Sequence, residues 1–116
     1  MIEPIELARR VVDLISDVKG ENIVLMDLRE VTPITDYFVI CSGTSDRQLR
    51  AIISKVTEEI KKETQKNPMR VEGQPESGWV LIDYGDVVVH AFSPEQRDYY
   101  SLESLWGQGK TLLRMQ

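Results

Sequence analysis

Trp79-Val80-Leu81-Ile82-Asp83-Tyr84-Gly85-Asp86-Val87-Val88-Val89-His90-Ala91-Phe92 is the stretch on which the fold turns. Two apolar runs rich in β-branched and aromatic residues flank Gly85-Asp86, a glycine-first pair suited to a tight turn. Residues 79–84 and 87–92 are therefore predicted to form a β-hairpin. Side chains alternate across a strand, so Val80, Ile82 and Tyr84 share one face with Val87, Val89 and Ala91. That apolar set is expected to face the core. The other face carries Trp79, Leu81 and Asp83 opposite Val88, His90 and Phe92. A two- or a four-residue loop gives the same division, because both keep the same parity. A face mixing Trp, Phe, His and a carboxylate suits a binding surface, with aromatic anchors and polar specificity groups. It suits equally a layer covered by a helix, with His90 hydrogen-bonded inside.

Outward from the hairpin, helices and strands alternate along the chain. Ala8, Val11, Val12, Ile15 and Val18 recur at helical spacing behind Pro4, and Lys19-Gly20 supplies a stop. Ile23-Val24-Leu25-Met26 reads as a buried strand ending at Asp27. A turn-like segment from Arg29 to Thr35 leads into Tyr37-Phe38-Val39-Ile40-Cys41, rich in strand formers. Gly43 breaks that strand, and Ser45-Asp46-Arg47-Gln48 has the form of a capping box. The helix behind it shows Leu49, Ile52, Ile53, Val56 and Ile60 on one face and is stopped by Asn67-Pro68. Met69–Glu72 is a short strand and Gly73–Gly78 a loop. After the hairpin, Asp98–Trp106 has helical spacing, with Tyr99, Leu102, Leu105 and Trp106 at i, i+3, i+6 and i+7. Thr111-Leu112-Leu113 has the composition of a last short strand. The order α-β-β-α-β-β-β-α fits an α/β (α+β) fold, a mixed β-sheet with helices packed on it, in one domain over residues 1–116.

Composition narrows the function classes. The 41% hydrophobic and 28% charged fractions are those of an ordinary globular chain, which excludes disorder as the overall state. No apolar run approaches the ~18–20 residues that span a bilayer, so no membrane partner is expected. Met1-Ile2-Glu3-Pro4 lacks the basic start and apolar stretch of a signal peptide, and the expected location is the cytoplasm. One cysteine, Cys41, and one histidine exclude a disulfide framework and a Cys/His zinc cluster, so no metal and no cofactor are expected. Between Glu72 and Trp106 seven acids stand against Arg97 alone, a net −6 in a chain whose total is −5. Such a surface repels phosphate backbones and attracts basic proteins, so no direct nucleic-acid readout is expected.

Catalytic patterns were weighed against structural ones. A strand, Gly43-Thr44-Ser45 and a capped helix could hold an anion at the helix N-terminus, and the same arrangement opens the nucleotidyltransferase palm. Two-metal phosphoryl transfer needs paired carboxylates on the adjacent strand. Glu58 and Glu59 fall on the exposed side of a helix, and Asp83 and Asp86 are three apart across a turn. The lysine-bearing phosphate loop and the dinucleotide glycine triplet are absent. No nucleophile elbow surrounds Cys41 or His90, and Cys41 reads as a small buried hydrophobe. The residues favour a turn plus a helix cap, and no enzyme.

Several blocks then match in order. Asp27-Leu28-Arg29, Thr35-Asp36-Tyr37-Phe38-Val39-Ile40 and Gly43-Thr44-Ser45 with Arg47-Gln48 open the match. Glu72-Gly73, Trp79-Val80-Leu81-Ile82-Asp83-Tyr84-Gly85-Asp86, Val89-His90 and Phe92 continue it. Arg97, Tyr100, Leu102-Glu103 and Leu105-Trp106 close it. Over nearly its whole length the chain resembles the ribosomal silencing factor family (RsfS, also called Iojap), departing from it chiefly at Cys41. The resemblance implies a translational repressor without enzyme activity. Members bind large-subunit protein fourteen, a basic ribosomal protein, and sterically block joining of the small and large subunits when nutrients are scarce. It also implies a nucleotidyltransferase-like fold without the catalytic acids. Carried onto matching positions, the partner-binding residues are expected to be Trp79, Asp83, Tyr84, Asp86, His90, Tyr100, Glu103, Leu105 and Trp106. A weak homodimer through the Tyr99–Trp106 surface is expected of the free protein. The alternative is a degenerate nucleotidyltransferase-like scaffold serving protein interaction or ribosome assembly.

Overall fold

Helix α1 (Pro4–Asp17) starts with proline in its first turn, where a missing N–H costs no intrahelical bond. Its periodic apolar residues Leu7, Ala8, Val11, Val12, Leu14 and Ile15 are all buried. Strands β1 (Glu21–Asp27) and β2 (Tyr37–Ser42) follow and pair antiparallel. Helix α2 (Asp46–Thr64) is capped by Ser45, whose Oγ accepts from Gln48 N at 3.1 Å. The Gln48 side chain does not close the box on Ser45. Its Oε1 accepts from Thr44 N at 2.7 Å, and its Nε2 donates to Lys19 O at 2.7 Å, tying the end of α1 to the start of α2. The computed structural model describes residues 2–116.

Strands β3 (Arg70–Gln74), β4 (Trp79–Asp83) and β5 (Val87–Phe92) run as a meander, with one 3-10 turn at Pro75–Ser77. Gly73 thus lies within β3 rather than in a loop. The six strands form one mixed sheet in the order β3-β4-β5-β2-β1-β6, where β6 is Lys110–Met115 and pairs antiparallel with β1. Among the described residues only β2 and β5 pair in parallel, joined by a crossover that contains α2. The hairpin register is the expected one: Trp79 faces Phe92, Leu81 faces His90, and Ile82 faces Val89. The mixed sheet with packed helices agrees with the α/β class read from the sequence.

A further expectation fails in detail. The Asp98–Trp106 helix is two helices, α3 (Pro94–Tyr100) and the single turn α4 (Leu102–Leu105). Ser93 starts α3, its Oγ accepting from Gln96 N at 3.3 Å. Ser101 ends it in a left-handed conformation, φ 48° and ψ 49°, which turns the chain before α4. The residue count is helical across the break, so spacing alone does not show it.

The sheet divides two apolar clusters. On one face α1 and α2 pack over Ile23, Leu25, Tyr37, Val39, Ile82, Val87 and Val89. On the other, Val24, Met26, Phe38, Ile40, Val88 and Phe92 cluster with Leu28, Leu102 and the half-buried Trp79, Leu81 and Trp106. Two long helices cover the first face, and one short corner covers the second.

Candidate binding surface

The thinly covered face is built by strand alternation. Trp79 and Leu81 on β4 and His90 and Phe92 on β5 point away from α1 and α2, and Phe38 on β2 joins them. The aromatics form a linked series. Trp79 stacks on Phe92 with ring centroids 5.0 Å apart and meets Tyr100 at 4.4 Å. Phe38 meets His90 edge to face at 4.6 Å and Trp106 at 5.7 Å. Such pairs each add ~0.5–1.5 kcal/mol beyond area burial and fix ring geometry. The face is neither bare nor sealed. The corner made by α3 and α4 lies over Phe38, Val88 and Phe92, and leaves an open groove of ≈ 310 Å³ beside it. Trp79, Leu81 and Tyr100 give this groove its apolar wall, and Glu72 and Ser77 give it a polar rim.

His90 is 4% exposed. Its Nδ1 accepts from Trp79 Nε1 at 3.2 Å, which fixes the indole against the sheet. Burial pushes the imidazole pKa down to about 4, with Asp83 opposing, so the ring is neutral at pH 7. Among the described residues Nε2 has no hydrogen-bond partner. Its expected role as a partner contact is corrected: it orients Trp79 from inside. Tyr84 is corrected more completely. It lies on the opposite face, 2% exposed in the main core, and burial holds its phenol near pKa 12.

The carboxylates separate into paired and free. Asp83 is half-buried; Oδ1 accepts from Gly85 N at 2.7 Å and Oδ2 from Arg70 Nε at 3.2 Å. Glu103 accepts two bonds from Arg97, at 3.1 and 2.9 Å. Glu72 pairs with Arg70 and Glu76 with Arg50. Among the described residues Asp86, Glu95 and Asp98 form no salt bridge. The net −6 of this segment therefore overstates its bare charge.

Of the expected residues, the fold brings Trp79, His90, Tyr100 and Trp106 into one aromatic series, with Leu105 on the adjoining corner, 72% exposed. Asp86 is exposed at the hairpin tip, at the far end of β4 from Trp79. The expected partner-binding set omits Phe38, Leu81 and Tyr99, although Leu81 falls on the expected Trp79 face and Tyr99 on the expected homodimer surface. Leu81 was legible from the alternation that selected Trp79. Tyr99 is 79% exposed, whereas the single helical stripe expected through Ser101 puts it on one face with Leu102, which is buried.

The Gly43–Ser45 turn is structural in its contacts. Gly43 N donates to Phe92 O at 2.8 Å, and Ser45 caps α2. Cys41 is fully buried, its thiol pushed up to about 12, as expected of a small hydrophobe. Among the described residues no group of three or more His, Cys, Asp or Glu clusters to hold a metal ion, and no helix is long and apolar enough to cross a membrane.

Comparison with known proteins gives this surface a context. The family model described as "ribosomal silencing factor during starvation" matches residues 2–115. The ribosomal silencing factor RsfS of Halalkalibacterium halodurans is 41% identical over 110 residues, covering 92% of this chain and 91% of that protein. The mouse "mitochondrial assembly of ribosomal large subunit protein 1" is 37% identical over 98 residues, 80% of this chain and 43% of that protein. A crystal structure of a Chromobacterium violaceum protein superposes with a TM-score of 0.86 at 34% identity, covering 91% of this chain and 88% of that one. With a family match along almost its whole length and the same fold in a solved relative, the chain belongs to the ribosomal silencing factor family.

Proposed function

We propose that this chain binds the large ribosomal subunit through a basic protein of its joining face, large-subunit protein fourteen, and keeps the small subunit from docking. The observation that carries this reading is the open aromatic groove beside the α3–α4 corner. An apolar cleft walled by Trp79, Leu81 and Tyr100, with exposed Tyr99 and Leu105 and the unpaired Asp98 in the chain segment around Tyr100, suits a partner presenting apolar and basic side chains. Trp79, Tyr100, Leu105 and Trp106 supply the apolar contact, and Asp83 and Asp86 contribute field along the same sheet. His90 and Tyr84 support the surface from within.

Family membership supports a ribosome-associated regulator, and the name of the mouse relative points to the large subunit. The same reading makes the chain a single-domain, non-enzymatic factor acting in the cytoplasm, with a nucleotidyltransferase-like ancestry. The filled bonds of Gly43 and Ser45 support a turn that no longer binds phosphate. In the free protein the exposed Tyr99–Trp106 corner forms a weak homodimer that the ribosomal partner displaces.

Co-sedimentation tests the proposal. The protein should pellet with purified large subunits, and subunits loaded with it should resist joining when small subunits are added in excess. Unimpaired joining on fully loaded large subunits would reject the steric block.

A further inference from the structure

Arg97 is 9% exposed in a segment whose other charges are half-buried or exposed. Its guanidinium reaches three separate elements. Nη1 donates to Asn22 O at 2.5 Å and to Ser42 Oγ at 2.9 Å. Nε and Nη2 form a fork on the Glu103 carboxylate at 3.1 and 2.9 Å. Asn22 lies at an irregularity of β1 with φ 48°, and Ser42 ends β2, so one end of this contact is anchored in the central sheet. The other end is α4. Four residues are too few to hold a helical turn in water by themselves, because nucleation costs more than one turn returns. The orientation of α4 must come from what pins it: Leu102 against the Phe38 cluster, and Glu103 on Arg97. Leu105 and Trp106 follow in the same turn, so that pinning sets the direction in which they point.

We propose that Arg97 is the positioning residue of the docking corner, and that Glu103 is its intramolecular partner rather than a contact to the ribosome. The inference rests on the docking surface assigned above, and it removes Glu103 from that surface. Arginine is required by the geometry. A planar guanidinium can serve a carboxylate with one edge and two further oxygens with the remaining N–H groups, whereas a lysine ammonium has three donors at a single point.

Hydrogen exchange on the free protein tests the device without any ribosome. Arg97→Met, Arg97→Lys and Glu103→Gln should each speed exchange of the 102–106 amides by roughly 10-fold or more while protection of β1, β2 and β5 stays at the wild-type level. With isolated large subunits, each should raise the dissociation rate on the order of 10-fold at an unchanged association rate. The double variant Arg97→Met/Glu103→Gln should be no worse than Arg97→Met, because both act through one unit. Wild-type exchange at 102–106 in Glu103→Gln, or full rescue by Arg97→Lys, would overturn the proposal. So would faster association of Arg97→Met, since a freed Glu103 would then be the contact. Should Arg97→Met fail to fold, Glu103→Gln decides alone, for its Arg97 keeps Asn22 and Ser42. If wild-type protein fails to pellet with large subunits, the docking reading falls, and exchange still decides the role of Arg97.

Discussion

His90 and Tyr84 lie on opposite faces of the β4–β5 hairpin region, and each is a polar group that the fold has taken out of water. For His90 the consequence is a pH dependence of known sign. The unfolded imidazole titrates near its ordinary 6.5, and the folded one at about 4. Between these values the unfolded chain binds the extra proton, so the stability that the neutral ring allows is complete above pH ~6.5 and declines as pH falls towards 4. The shift corresponds to about 3 kcal/mol at most. Urea titrations at pH 7 and pH 4.5 should show this loss in wild type and a smaller one in His90→Phe; equal losses would place the acid sensitivity elsewhere. Protonation of the folded ring also removes the acceptor for Trp79 Nε1, so indole fluorescence of the folded protein should change around pH 4. Tyr84 makes the converse case. Its hydroxyl has no hydrogen-bond partner among the described residues, so Tyr84→Phe removes an unsatisfied group without opening a cavity. That variant should be neutral or stabilising by ~1 kcal/mol in urea unfolding, with ribosome binding unchanged. A loss of binding in the folded protein would return Tyr84 to the contact surface.

Strand β3 approaches β4 closely at Gly73, beside the groove. Gly73 has φ +84°, pairs with Val80, and lines the groove; a Cβ there would collide with the carbonyl oxygen of Trp79. Backbone conformation and space both select glycine. Gly73→Ala should cost more than ~2 kcal/mol in urea unfolding and shift Trp79 fluorescence, as β3 is pushed away from β4. Unchanged stability would mean that β3 is a loosely held edge. Much at this scale was written in the chain. The periodicity of α1 and α2, the Ser45 cap and the parity of the hairpin set which residues are buried, because each depends on neighbours a few positions away. The place of β6 beside β1 and the break at Ser101 were not readable, since both depend on tertiary contacts. Ser101 turns because Leu102 is drawn into the Phe38 cluster while Arg97 holds Glu103, and Arg97 in turn depends on Asn22 and Ser42, 75 and 55 residues away. The candidate surface was legible to the same degree. Alternation found Trp79 and its face; it could not tell that His90 is sealed beneath or that Glu103 is already paired.

The whole molecule is asymmetric in cover, and part of its acidic segment lies on the thinly covered side. Two long helices seal one face of the sheet, while the other has a short corner with exposed Tyr99 and Leu105, and carries Glu72 and Asp83 beside Trp79 and Leu81. Its extents are 33 × 32 × 24 Å. At ~0.01 M salt the screening length is about 30 Å, comparable with the molecule, so every unpaired carboxylate contributes to the approach of a basic partner. At ~0.15 M it is about 8 Å, and only charges at the contact act. Paired acids add little at either salt, which leaves Asp86 and Asp98 as better probes of steering than Asp83 or Glu103, whose reversal would break internal bonds. Asp86→Lys/Asp98→Lys should therefore fold as wild type, associate with large subunits several-fold more slowly at low salt, and approach the wild-type rate at physiological salt. Its dissociation rate should scarcely change. Tyr99→Ala/Leu105→Ala should do the reverse, raising dissociation roughly 10-fold or more with little effect on association, because apolar anchors act after encounter. Stopped-flow mixing with labelled large subunits separates the two rates, and circular dichroism checks each fold. If the charge-reversed protein associated as fast as wild type at low salt, the acidic face would not be the one that approaches the ribosome. Docking would then have to use the outer surfaces of α1 and α2, where truncating Tyr99 and Leu105 would leave dissociation untouched.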